Sequence, residues 1–222
     1  MQYDYIFLDL DGPILEGKSR HYKCYIDIIS RLGGIPLDLN IYWDMKRSKI
    51  TRDIILEKSD FEASYSDFFK SWMKNIENEK YLKLDTLKPQ VIETLEVWKK
   101  ISNNIVLVTM RQNRNYLIQQ LKDLNVYSFF DEIIDCPPQR ENTKYEALKN
   151  KNFENAIFIG DTEEDTKTAK MLHIKSIGIT NGLRKKEFLE ADYYYEGFWF
   201  HCPAIHSFLC SKSCGCYGFH GG

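Results

Sequence analysis

The stretch Ile6-Phe7-Leu8-Asp9-Leu10-Asp11-Gly12 constrains the fold more than any other part of the chain. An apolar run meets two aspartates one residue apart, and a glycine follows. Such a run reads as a buried strand, with Gly12 where the chain leaves the sheet. The strand therefore delivers two carboxylates to the sheet's C-terminal edge, where open α/β sheets bind ligands. Carboxylates held close together disfavour joint ionisation unless a cation lies between them. An oxygen-only ligand set points to Mg²⁺. The competing reading is a solvated turn, since Asp and Gly are common turn residues.

The 222 residues fit one substantial domain, or a core with a smaller insert. A hydrophobic share of 43% supports a globular core, and a net charge of -2 gives no large basic footprint for nucleic acid. No apolar run reaches the roughly 20 residues that span a bilayer. Asp4 and Asp9 stand where a signal peptide needs a basic start and an apolar segment. The expectation is a cytoplasmic enzyme with a small-molecule substrate and no nucleic-acid or membrane partner. Cys24 and Cys136 read as small buried positions.

After an irregular exit through Glu16, His21 to Leu32 has helical spacing and ends at Gly33-Gly34. Leu39 to Arg47 suits a short helix. Ser64 suits the N-cap of a helix running to about Glu77, with Phe68, Trp72 and Ile76 on one stripe that reads as core. Pro89 suits the first turn of a further helix carrying Val91, Leu95 and Trp98. A parallel crossover needs only about a dozen residues, so residues 17–86 read as an inserted helical cap over the sheet edge. Such lids exclude water and select substrate.

From Ile105 onward strand and helix alternate. Strands are expected at 105–108, 132–135, 156–160, 175–179 and 192–195, with helices at 115–124, 143–149, through Met171 and at 184–189. That alternation predicts a Rossmann-like, doubly wound parallel sheet with helices on both faces. The expected organisation is an α/β core from residues 1–16 and 87–200, the cap at 17–86 and a tail at 201–222. The tail holds Cys202, Cys210, Cys214 and Cys216 together with three of the histidines. Zinc would suit those residue types, but no CxxC pair is present, and an unstructured or non-native extension is the preferred reading.

Three strand ends each present a polar residue after an apolar run: Asp9 with Asp11, Thr109, and Asp161. Lys144 opens a helix between the last two. A metal site, a hydroxyl and a cation on one sheet edge are what phosphoryl transfer needs. Asp9-Leu10-Asp11-Gly12, Thr109, Lys144 and Gly160-Asp161-Thr162-Glu163-Glu164-Asp165 resemble, in order and spacing, the four motifs of the haloacid dehalogenase-like hydrolase superfamily. The insert resembles the helical cap of its phosphoglycolate phosphatase-like members. The resemblance runs from residue 3 to about 195. Lys149 and Lys151 are nearby rivals for the lysine position, and Pro13 stands where the family usually has Thr or Val.

The resemblance implies an Mg²⁺-dependent phosphatase acting on a small phosphorylated metabolite. Asp9 would be the nucleophile and Asp11 the general acid and base, a role that needs a raised pKa. Mg²⁺ would be held by the Asp9 carboxylate, the Asp11 backbone carbonyl and the Asp161 carboxylate. Thr109 and Lys144 would hold phosphoryl oxygens, and Asp165 would orient a metal-bound water or Lys144. The strand ending at Asp9 would lie between those ending at Thr109 and Asp161. Two readings compete: a phosphomutase of the same superfamily, and a non-catalytic phosphorylatable signalling module. Arg111 reads equally as a substrate or phosphate contact and as a solvated loop charge. Trp43-Asp44-Met45-Lys46-Arg47 could supply a cation that reads an acidic substrate, with a solvated helix face as the alternative.

Overall fold

The structure, a computed structural model, describes residues 3–61, 63–137 and 142–197. The expectations for the Cys- and His-containing tail lie outside the described residues.

Six parallel strands form one sheet in the order β5-β4-β1-β6-β7-β8. These are β1 (Tyr3–Leu8), β4 (Ser102–Thr109), β5 (Glu132–Asp135), β6 (Ala156–Gly160), β7 (Lys175–Ile179) and β8 (Tyr193–Tyr195). β1 is central, pairing Ile6 with Ile105 on one side and Ile157 on the other. Alternation along β1 sends Ile6 and Leu8 to one face and Phe7 to the other. Ile6 and Leu8 pack with Val91, Leu95, Leu117 and Leu121. Phe7 packs with Val106, Val108, Phe158, Leu148 and Ala169. A strand buried on both faces has no polar alternation to show, which is why these stretches are continuously apolar.

The facing helices are α6 (Val91–Ile101) and α7 (Arg114–Asp123) on the first side, and α8 (Thr143–Leu148) and α9 (Glu163–Met171) on the second. The doubly wound sheet and its central Asp9 strand are thus present as expected. Residues 184–189 carry only a 3₁₀ turn at Lys186–Phe188, where a short helix was expected. Pro89 precedes its helix by two residues; Gln90, at φ 63°, is the N-cap and Val91 the first helical residue.

Between β1 and β4 lie α1 (Lys18–Arg31), α2 (Leu39–Arg47), α3 (Arg52–Glu57), α4 (Tyr65–Asn75) and α5 (Glu79–Leu82). They bury a core of their own, with Tyr25 stacked on Tyr42 at 4.2 Å beside Phe68 and Trp72. Asp38 and Ser64 cap α2 and α4 with side-chain hydrogen bonds to Asn40 N and Asp67 N. The irregular exit after Gly12 contains β2 (Leu15–Glu16), which pairs antiparallel with β3 (Thr86–Leu87). This two-residue ribbon holds the insert's entry and exit together, a long-range pairing too short to carry a period.

The insert is tied down over the sheet edge. Glu77 accepts hydrogen bonds from Gln112 N and Asn113 N at 3.0 and 2.9 Å. Arg47 Nη2 donates to Thr180 O, and Arg184 Nη1 donates to Lys46 O.

Candidate active site

Asp9, Thr109 and Asp161 follow or end β1, β4 and β6, three neighbouring parallel strands, so their side chains meet at one edge. With Asp11, Arg111 and Lys144 they line a cavity of about 270 Å³ beneath the insert. Asp165 contacts Lys144 from outside this lining, and of the Trp43–Arg47 stretch only Trp43 lines the cavity.

Asp9 is 6% exposed. Its Oδ1 accepts from Leu10 N at 2.8 Å and faces Lys144 Nζ at 2.8 Å. Among the described residues its Oδ2 accepts no hydrogen bond. Burial, opposed by Lys144 and reinforced by Asp165, pushes its pKa up to about 7. Lys144 also reaches Asp165 Oδ1 at 2.6 Å. Two carboxylates around one buried ammonium raise the lysine's pKa despite its burial. The rival lysines are elsewhere: Lys149 pairs with Glu146 and Lys151 with Glu132.

Asp165 sits in the first turn of α9 and closes a capping box. Its Oδ2 accepts from Thr162 N, Thr162 Oγ1 and Asp161 N. With both oxygens engaged, Asp165 is a holder of the loop and of Lys144. Asp161 is different. Its Oδ2 accepts from Leu183 N at 2.5 Å, but its Oδ1 is buried and has no hydrogen-bond partner among the described residues. Burial, with Asp9 and Asp165 nearby, pushes its pKa well up. Glycine makes room for it: a Cβ on Gly12, at φ +101°, or on Gly182 would overlap the Asp161 carboxylate.

These residues fit a hard divalent cation. Carboxylate oxygens of Asp9, Asp161 and Asp165 lie within 4.8 Å of one another. The orphaned Asp161 Oδ1 and the free Asp9 Oδ2 supply unpaired anionic oxygen, which is costly to bury without a cation.

Asp11 departs from expectation. Its carboxylate is clamped by Arg111, through Nε at 2.7 Å and Nη2 at 2.8 Å, and by Arg20 Nη2 at 2.5 Å. Both arginines also contact buried Asp85, which accepts from Gln120 Nε2. The arginines overcome burial and hold Asp11 down at about 2 rather than raised. Arg111 is 4% exposed, which removes the solvated-loop reading. Thr109 is buried in the cavity wall, and among the described residues its hydroxyl makes no hydrogen bond.

Arg20, Asp85 and Lys88 are the members that sequence reasoning missed. Arg20 lies in the first turn of a helix expected to begin one residue later. Lys88 is buried, donates to Asn181 and lines the cavity. A charge on a helix end or a short connection carries no periodic signal of burial.

An α/β sheet with this edge chemistry beneath a helical insert is the architecture of a hydrolase. The family model for haloacid dehalogenase-like hydrolases matches residues 5–179, and the chain belongs to that family. A phosphoglycolate phosphatase from Rhodobacter capsulatus is 22% identical over 194 residues, covering 81% of this chain and 85% of that protein. A haloacid dehalogenase-like family hydrolase from Streptococcus pneumoniae superposes with a TM-score of 0.73 at 21% identity, covering 93% of this chain and 98% of that one. A Thermotoga maritima protein provisionally described as a beta-phosphoglucomutase gives 0.61 at 19% identity, over 86% and 94%. Among the described residues no helix is long and apolar enough to cross a membrane.

Proposed function

We propose that this protein is an Mg²⁺-dependent phosphatase that hydrolyses a small phosphorylated metabolite through an aspartyl-phosphate on Asp9. The observation that carries the reading is the pairing of Asp9, one oxygen held by Lys144 and the other free, with the partnerless Oδ1 of Asp161. The cavity of about 270 Å³ suits a small substrate.

Asp9, Asp161 and the Asp11 carbonyl would hold Mg²⁺, which would supply the charge neutralisation that lets an anionic carboxylate approach an anionic phosphoryl group. Lys144 fixes the Asp9 carboxylate and adds positive charge next to the phosphoryl oxygens. Thr109 offers a hydroxyl donor from the neighbouring strand. The Asp9 carboxylate attacks phosphorus, the bond to the leaving oxygen breaks, and that oxygen takes the proton of a protonated Asp11. Asp11 then takes a proton from the water that attacks phosphorus and releases phosphate from Asp9. Clamped by two arginines it is a weak base and carries no proton, so this step too draws on an Asp11 released from them. Delivering a proton to the leaving oxygen requires the arginine contacts to loosen once substrate enters.

The test is phosphate release from a panel of phosphorylated metabolites, with and without Mg²⁺, for wild type and Asp9→Asn. Release that needs Mg²⁺ and disappears in Asp9→Asn supports the reading. A substrate whose phosphoryl group returns to another hydroxyl of the same sugar would reassign the protein as a mutase. A stable phosphoaspartate without turnover would reassign it as a signalling module.

A further inference from the structure

A second cavity, of about 380 Å³, lies among the insert helices and shares His21, Arg52, Trp72 and Leu183 with the catalytic cavity. Among the described residues its wall carries four cations, Lys46, Lys49, Arg52 and Arg184, and no carboxylate. Lys49 and Arg184 are neutralised from outside the wall, both by Glu163, at 2.8 and 2.9 Å. Lys46 and Arg52 have no carboxylate partner among the described residues. Lys46 Nζ instead bonds to His21 Nδ1 at 2.8 Å and lies 5.0 Å over the Trp72 ring. The Arg52 guanidinium lies 5.7 Å from the same ring and 5.3 Å from Phe69.

Half-burying two cations against one indole without a counter-charge is costly, and ring contacts offset only part of that cost. Burial, added to by Arg52, Arg184 and Arg20, pushes the Lys46 pKa well down. Burial and Lys46 do the same to His21, which keeps its Nδ1 available as an acceptor. An anion entering here would supply the counter-charge that Lys46 and Arg52 lack. Elsewhere on α2, Asp44 pairs with Lys185 and Arg47 reaches Thr180 O. Lys46 alone of that basic stretch is turned into the cavity.

We propose that this cavity is a second-anion subsite. The substrate is then a phosphate monoester whose leaving group extends from the catalytic cavity past Trp72 and carries another anionic group, a carboxylate or a second phosphate, seated on Lys46 and Arg52. The proposal rests on the phosphatase reading and names the class of substrate that site takes.

The test compares three esters of similar shape: 4-carboxyphenyl phosphate, 1,4-phenylene bisphosphate and the uncharged control 4-carbamoylphenyl phosphate. Wild type should favour at least one anionic ester over the control by about tenfold in kcat/KM, the scale of one charge-assisted contact. Which anionic ester leads tells carboxylate from phosphate. Arg52→Gln and Lys46→Gln should each bring the preference close to one, and Arg52→Lys should retain more of it than Arg52→Gln. Equal turnover of all three by wild type, or a preference that survives both glutamine variants, overturns the subsite and leaves the phosphatase reading standing. Turnover of none counts against that reading, and calorimetric binding of the same esters to Asp9→Asn protein then decides the subsite alone. A binding preference for the anionic esters that Arg52→Gln removes supports it; equal affinities overturn it.

Discussion

Arg20 Nη2 and Asp11 Oδ1 lie 2.5 Å apart, joining the first turn of an insert helix to the second aspartate of the strand-end pair. Arg111 donates to both oxygens of the same carboxylate, and Asp85 pairs with both guanidinium groups at 2.9 and 3.3 Å. Two arginines and two aspartates make a neutral cluster across the boundary between insert and sheet.

Arg20 is 2% exposed, so removing it leaves Asp85 buried with less compensation. Arg20→Met should destabilise the protein by about 3–5 kcal/mol, the range for breaking one side of a buried ion pair. Denaturant unfolding with the slope monitored checks this. A change below about 1 kcal/mol would show that the cluster adds little.

Lys144 faces Asp9 and Asp165 at 2.8 and 2.6 Å, with 1% of its side chain exposed. Lys144→Met should abolish phosphate release and cost about 3–5 kcal/mol of stability. The double variant Lys144→Met/Asp165→Asn should recover part of that loss, because one uncompensated charge is removed. Additive losses in the double-mutant cycle would contradict the coupling.

Asp9, raised to about 7, ties stability to pH. Between the unfolded carboxylate value near 3.9 and about 7, the folded protein keeps a proton that the unfolded chain has lost, so the Asp9 contribution falls as pH rises. His21, held low, contributes in the opposite sense below its ordinary value. Comparison with Asp9→Asn isolates the carboxylate. In chelator, Asp9→Asn should gain stability relative to wild type by roughly a few kcal/mol from pH 4 to pH 8. In Mg²⁺ wild type should recover, since cation binding needs the ionised carboxylate. Unfolding curves at both pH values give the measurement, and a relative loss by Asp9→Asn would contradict the buried pair.

Gly182 leaves the space that the Asp161 carboxylate fills. Gly182→Ala should displace Asp161 and weaken Mg²⁺ binding by about 10- to 100-fold, the scale for disturbing a ligand's support. Calorimetric titration with Mg²⁺, alongside a circular dichroism spectrum matching wild type, checks this. Unchanged affinity would place the cation away from Asp161.

Much of the scaffold was legible in the sequence. Ile105–Val108 and Ala156–Ile159 are apolar because both faces of their strands are covered, so they announce themselves without any partner. Leu39–Arg47 and Ser64 were readable because helix spacing and an N-cap are local. The ribbon of Leu15–Glu16 with Thr86–Leu87 was not, because two residues cannot show a period and their partners are about 70 positions away. The helix of Arg52–Glu57 was missed for the same reason of length.

The sequence by itself determined the central strand, the carboxylates at its end and the three other positions that face them. Those features follow from local pattern: an apolar run, a turn signal, and strand ends that parallel pairing brings to one edge. Tertiary structure alone decided the state of those groups. Arg20 and Arg111 meet on Asp11 only because the insert folds back over the sheet, and that contact reverses the pKa shift expected for a general acid. Lys46 faces a cavity rather than solvent for the same reason. A side chain's charge is written in the sequence, but its burial and its partners depend on which distant segments pack against it.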